Sequence, residues 1–291
     1  MAVSGTDLVV ISGTDGTAGA GRIRAGFEAA RADGRIALVP YVVAGYPDPA
    51  TSLRAGLAAI EAGADLLEVG LPFSDPLADG PTLQRASVAA LRAGASFESA
   101  LRLLEALARQ NPTVPLVPMG YANQLLGGGQ SLERIRRLAE AGASGLIVAD
   151  LTPDEGAPFE AAARAAGLAL VYLVAPTTPP ERRRIIAGRS GGFLYCVSLV
   201  GVTGARTRLP GGLRRLVRDV VGVSPVPVAV GFGVSRPGHV AAIAEAGADG
   251  VVVASALVDA LGPDGRDVAA MGRLVARLSA ATRRTAQARP A

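Results

Sequence analysis

The tetrapeptide Glu-Ala-Gly-Ala occurs three times, in 61-EAGADLLEVG-70, 140-EAGASGLIVAD-150 and 245-EAGADGVVVAS-255. Each copy ends a helical pattern, supplies a glycine where a helix closes, and runs almost at once into an apolar stretch. A chain that repeats this junction alternates helix with strand. Strands joined through helices lie parallel.

The apolar runs place strands at 37–43, 65–70, 115–119, 145–149, 168–174, 193–198, 226–231 and 250–253. They are short and continuously apolar, as parallel strands covered on both faces must be. Helical periodicity fills 50–62, 82–109 with a break near Gly94, 131–141, 155–166, 179–187, 211–221, 236–246 and 267–281. Such alternation predicts an α/β fold, a (β/α)8 TIM barrel with an extra N-terminal helix. An open doubly wound sheet is the alternative, but 43-VAGYPDP-49 is a poor match to its Gly-rich nucleotide turn. With 291 residues, 49% of them hydrophobic, the chain fits one large domain. We assign 21–281 to the barrel, 1–20 to a flexible Gly/Ser/Thr-rich extension and 282–291 to a tail.

The composition removes whole classes of chemistry. Every one of the 29 basic residues is arginine. Without lysine there is no Schiff-base aldolase, no pyridoxal-anchoring amine and no P-loop lysine. One His and one Cys cannot make the usual His/Cys zinc site within one chain. The arginines scatter over helix faces, which does not describe a nucleic-acid surface. A single Cys excludes an intramolecular disulfide, and no apolar run reaches the roughly 20 residues of a membrane span. No secretory signal is evident, and a cytoplasmic protein is expected. Carboxylates, hydroxyls and backbone amides remain.

In a barrel of this kind the site lies at the C-terminal ends of the strands. There the stretch 67-LEVGLPFSDPLADG-80 sets Glu68 within an apolar strand. Pointing inward, its carboxyl is desolvated and its pKa rises, which suits an acid/base; pointing outward, it pairs with an arginine or hydroxyl. Asp79 sits in a loop stiffened by proline and is aimed over the barrel mouth or caps the next helix. Asp75, before Pro76, reads as a turn residue. Two turns, 231-GFGVS-235 and 254-AS-255, offer amides to an anion, with Gly204, Gly233, Ala254 and Ser255 converging, or merely cap helices. The long loop 198-SLVGVTGARTRLPGG-212 has the length of a lid. Tyr195 either reaches the mouth or packs in the core. Cys196 reads as core and His239 as a surface or helix-start residue.

Together these motifs resemble the tryptophan synthase α-subunit family. The likeness runs from about Ile36 to Ala260 and is densest in 68-EVGLPFSDPLADGPTLQRA-86. It extends through 40-PYVVAGYPDP-49, 119-MGYAN-123, 148-VADLTPDE-155, 195-YCVSLVGVTGAR-206, 231-GFGVS-235 and 249-DGVVVASALV-258. The resemblance implies retro-aldol cleavage of indole-3-glycerol phosphate, with Glu68, Asp79 and Tyr195 catalytic. It implies that Met119, Tyr121 and Ile147 line an indole slot. Gly204, Phe232, Gly233, Ala254 and Ser255 fall at or beside the phosphate site, and Thr203 bonds Asp79 on closure. It also implies no cofactor in this chain, and a pyridoxal-phosphate β subunit as partner in an α2β2 complex. Asp75, Pro76, the loop from Asn123 and residues 203–208 match the docking face.

Three residues depart from the family pattern. Ala254 replaces a usual Gly, Gln124 a usual Pro, and Leu199 an Arg of some members. Gln124 followed by 127-GGGQ-130 predicts a looser partner-facing loop. Other readings are a stand-alone lyase of the same chemistry, a non-catalytic phosphate-binding regulator and a sugar-phosphate isomerase or epimerase. The last would more often need a His or metal-ligand set that this chain lacks.

Overall fold

A computed structural model of the chain describes residues 13–126, 131–197, 212–231 and 233–284, with the main chain only at 131 and 132. Its strands are β1 (Ala37–Val43), β2 (Leu67–Gly70), β3 (Leu116–Gly120), β4 (Gly145–Val148), β5 (Ala169–Val171), β6 (Leu173–Val174), β7 (Leu194–Val197), β8 (Val228–Gly231) and β9 (Gly250–Val253). All pairings between them are parallel, in the order β5-β4-β3-β2-β1-β9-β8-β7-β6. β5 and β6 are halves of one strand interrupted at Tyr172, so the two ends of this order meet and the sheet closes. Tyr195 N donates to Tyr172 O across that seam at 3.0 Å. The result is the expected eight-stranded barrel.

The helices are α1 (Ala18–Ala32), α2 (Pro49–Glu61), α3 (Pro81–Arg92), α4 (Phe97–Gln110), α5 (Ala122–Leu126) and α6 (Ser131–Glu140). They continue as α7 (Ala157–Ala165), α8 (Pro180–Arg189), α9 (Leu213–Val221), α10 (Pro237–Glu245), α11 (Ser255–Ala260) and α12 (Val268–Ala280). The repeated tetrapeptide closes α2, α6 and α10 in one way. Gly63, Gly142 and Gly247 take φ of 103°, 97° and 94°. The residue after each glycine donates to a carbonyl five residues back. That wrapped closure needs left-handed backbone, hence glycine.

Strand alternation splits the apolar residues into two cores. Leu38, Val42, Leu67, Val69, Leu116 and Leu146 face outward against the helices. Val39, Tyr41, Val117, Met119, Ile147 and Phe193 fill the interior. Because Leu67 and Val69 both face out, the residue between them faces in, and that residue is Glu68.

The N-terminal helix closes the bottom of the barrel. Ile23 and Phe27 of α1 join the interior core, and Phe27 meets Phe193 with ring centroids 5.7 Å apart. The expected flexible extension is corrected for residues 13–20. Thr14 is fully buried and its Oγ1 accepts from Leu170 N at 2.6 Å. Gly19 N donates to Gly167 O at 2.9 Å. The expected tail is corrected at its start too. Thr282 is buried, Arg283 bridges Arg35, and Arg284 N donates to Gly34 O at 2.9 Å. Composition suggested loose ends; the packing is tertiary and leaves no periodic trace in so short a stretch.

Phe27→Ala removes an aromatic plug that nothing else can replace. It should lower unfolding free energy by about 3–5 kcal/mol, measured by urea denaturation. A loss below about 1 kcal/mol would show that α1 is not part of the cooperative core.

Candidate active site

Glu68, the second residue of β2, enters the interior in register with Tyr41 on β1 and Val117 on β3. Its residue surface is 2% exposed, and Oε2 is buried with no hydrogen-bond partner among the described residues. Burial first, and then the charge of Asp79, push its pKa up to about 8. The outward-facing, arginine-paired alternative is not what forms.

Asp79 belongs to the loop that joins β2 to α3. It does not cap α3, whose N-cap is Gly80. The residue is 6% exposed and lies in the same cleft as Glu68. Burial raises its pKa to about 6, against a hydrogen bond with Tyr121 that holds it down. The loop is fastened at several points. Tyr121 Oη accepts from Ala78 N at 3.1 Å, and its ring stacks on Phe73 at 5.2 Å. Gln84 Nε2, on α3, donates to Asp79 O at 3.0 Å, and Gln124 Nε2, on α5, donates to Pro72 O at 3.0 Å. The looser loop expected from Gln124 is therefore corrected at that residue: its side chain is an anchor. Residues 127–130 lie outside the described residues.

The cleft is open at its mouth, and its empty space together with the solvent there comes to about 510 Å³. Glu68, Asp79, Met119 and Tyr195 line one part, and Gly233, Ala254 and Ser255 another. Gly233 takes φ of 75° in the turn after β8. The N-cap of α11 is Ala254, with no side-chain capping bond, and α10 begins after Arg236 in the same way. Ser235 and Ser255 are therefore not helix caps, which leaves the Ser255 hydroxyl for the cleft.

Two tyrosines lean over glycines of the neighbouring strand. A Cβ built on Gly70 would lie 1.8 Å from Tyr41 Oη, and one on Gly231 would lie 2.3 Å from Tyr195 Oη. These glycines make room for both rings inside the barrel. Burial first, and then Glu68 and Asp79, keep both phenols protonated.

Of the residues singled out from sequence, Glu68, Asp79, Met119, Tyr195, Gly233, Ala254 and Ser255 share one cleft. Tyr121 reaches it through Asp79. Ile147 pairs with Met119 and is fully buried in the interior core, and it does not line the cleft. Thr203, Gly204 and Phe232 lie outside the described residues, as do Leu199 and the loop 203–208. Asp75 is exposed, bonded by Ser74 Oγ at 2.6 Å, and takes no part in the cleft. Cys196 is buried with its thiol pushed up to about 12, so it is a core residue as expected. His239, expected at the surface or at a helix start, stands in the first turn of α10 but is buried, and Arg236 Nε donates to its Nε2 at 2.9 Å. Tyr41 lines the cleft and was missed. Its signal was inward parity on the strand pattern 37-ALVPYVV-43.

The profile of the family described as tryptophan synthase alpha chain matches residues 27–288. The tryptophan synthase alpha chain of Roseiflexus sp. (strain RS-1) is 48% identical over 253 residues, covering 85% of this chain and 95% of that protein. A solved structure of Mycobacterium tuberculosis tryptophan synthase superposes with a TM-score of 0.82 at 41% identity, covering 91% of this chain and 99% of that one. A structure from Aquifex aeolicus VF5 gives 0.82 at 37% identity, covering 90% and 99%. The family profile, the relatives and the solved structures agree: the chain belongs to the tryptophan synthase alpha chain family.

Proposed function

We propose that this chain is a lyase that cleaves indole-3-glycerol phosphate to indole and glyceraldehyde 3-phosphate. The observation that carries the reading is a carboxyl with an unpartnered buried oxygen, Glu68, sharing one cleft with a second carboxyl, Asp79. Between about pH 6 and about pH 8 the first is protonated and the second ionised. That is one acid and one base, separated by environment alone.

The reaction uses both. Glu68 delivers its proton to C3 of the indole ring while Asp79 takes the proton from the ring N–H, giving a neutral indolenine. Glu68, now a carboxylate, removes the proton of the C3′ hydroxyl beside the scissile bond. That C–C bond breaks, its electron pair returns to the ring, and the aldehyde forms. The ring nitrogen recovers its proton from Asp79, and both carboxyls end as they began. Met119 offers an apolar wall to the flat ring, and Tyr195 a hydroxyl near Glu68. The phosphate binds the amides and hydroxyl of Gly233, Ala254 and Ser255, where the added methyl of Ala254 narrows the site.

The chain needs no cofactor for this chemistry. Its partner is a β subunit that carries pyridoxal phosphate and receives indole, in an α2β2 assembly. Exposed Asp75 and Leu77, in the loop that carries Asp79, and exposed Asn123, beside the Gln124 that fastens that loop, support a docking face there. No described helix is long and apolar enough to cross a membrane.

Glu68→Gln should cut indole release by about 10²–10⁴-fold, with or without a β subunit. It should also stabilise the fold above neutral pH. A carboxyl with a raised folded-state pKa loses stability as pH climbs from its unfolded value to about 8, and glutamine does not. Thermal melts at pH 8.5 test this. An active Glu68→Gln variant contradicts the assignment. The wild-type kcat/KM should rise through about pH 6 as Asp79 ionises and fall through about pH 8 as Glu68 does. A flat profile from pH 5 to 9 argues against the pair.

A further inference from the structure

The loop that carries Asp79 has no regular structure of its own. Its internal bonds are short-range: Leu77 N donates to Asp75 O at 2.9 Å and Asp79 N to Pro76 O at 3.0 Å. What holds it over the barrel comes from the neighbouring elements. Gln124 is the fastening at its start. The amide lies above the C-terminal end of β3, where a Cβ on Gly120 would come within 2.8 Å of Gln124 Oε1 and 3.2 Å of Leu71 Cδ1. The absence of a side chain at 120 is what lets the glutamine cross to the loop.

Nε2 donates to Pro72 O, whereas Oε1 is buried with no partner among the described residues. An orphaned carbonyl oxygen costs stability, so the side chain is held there by its position and not by its own satisfaction. Behind it, the Arg134 guanidinium of α6 donates to the Gln124 main-chain oxygen. A chain of contacts thus runs from α6 through α5 to the first residues of the Asp79 loop.

We infer that Gln124 is a positioning residue for the reaction, pinning the start of the Asp79 loop so that the carboxyl stays buried in the cleft. The inference rests on the lyase reading for its kinetic consequence, but its structural content stands apart. Without the pin the loop lifts and Asp79 meets water. Of the groups facing Asp79, Glu68 comes from β2, Tyr41 from β1, Tyr121 from the β3 turn and Tyr195 from β7. Among the described residues none of these is cationic. A lifted loop removes both the burial that raises the Asp79 pKa and the smaller Tyr121 bond that lowers it, so the pKa falls.

Gln124→Met keeps the length of the side chain and removes the donor; Gln124→Leu serves if the first variant does not fold. In the purified full-length chain, hydrogen–deuterium exchange over 71–80 should speed up while β1 and β7 stay protected. With indole-3-glycerol phosphate, kcat should drop about three- to tenfold, the scale of one net hydrogen bond. KM should change less, and the acidic limb of the pH profile should move below pH 6. Unchanged exchange over 71–80 overturns the inference. So does a lower melting temperature with the acidic limb unmoved, since that makes Gln124 merely structural. If the wild type releases no indole, the lyase reading fails and the exchange data alone decide whether Gln124 pins the loop.

Discussion

A closed parallel barrel has one interior, and strand alternation decides what enters it. Here Val39, Val117, Ile147 and Phe193 pack inside it, with Phe27 of α1 against Phe193. The interior also admits one carboxyl, Glu68, because Leu67 and Val69 are committed to the helical layer. A one-residue slip of β2 would bury Leu67 and Val69 in the mouth and expel the acid. The register of a single four-residue strand therefore fixes both the core and the chemistry.

The carboxyl placed there is costly to ionise, and that cost has a use. Nothing among the described residues offsets Glu68 Oε2, so the group stays protonated at neutral pH. Asp79 is buried less completely and is tied to Tyr121, so it ionises earlier. One cleft thereby holds a proton donor and a proton acceptor, both of them carboxyls. The same burial means that the fold gives up stability where the chemistry operates, as strained functional sites commonly do.

Much of this was legible in the chain. Strand β1 is found at 37–43 as read, and the break between α3 and α4 falls at Gly94, whose φ is 89°. Those signals are local: apolar run length, helical period and glycine closure. Glu68 stood out because an acid in an apolar strand is a local contradiction. What was not legible is tertiary. The buried Thr14 takes a bond from Leu170, 156 residues away. His239 is at a helix start as read, but its burial and its bond from Arg236 are not visible in the sequence. Gln124 looked like a loop-loosening substitution, and only the space above Gly120 turns it into an anchor. The break at Tyr172 is also invisible in sequence, since the apolar run is continuous through it.

The account turns on the protonation state of Glu68 in the folded chain. Carbon-13 NMR of protein labelled at glutamate side-chain carboxyls, with Glu68→Gln for assignment, reads that state directly. The account predicts one glutamate resonance that stays protonated at pH 7 and titrates near pH 8, missing from the variant. A Glu68 resonance that titrates near its ordinary value of 4.5 would contradict it, because the cleft would then hold two bases and no acid.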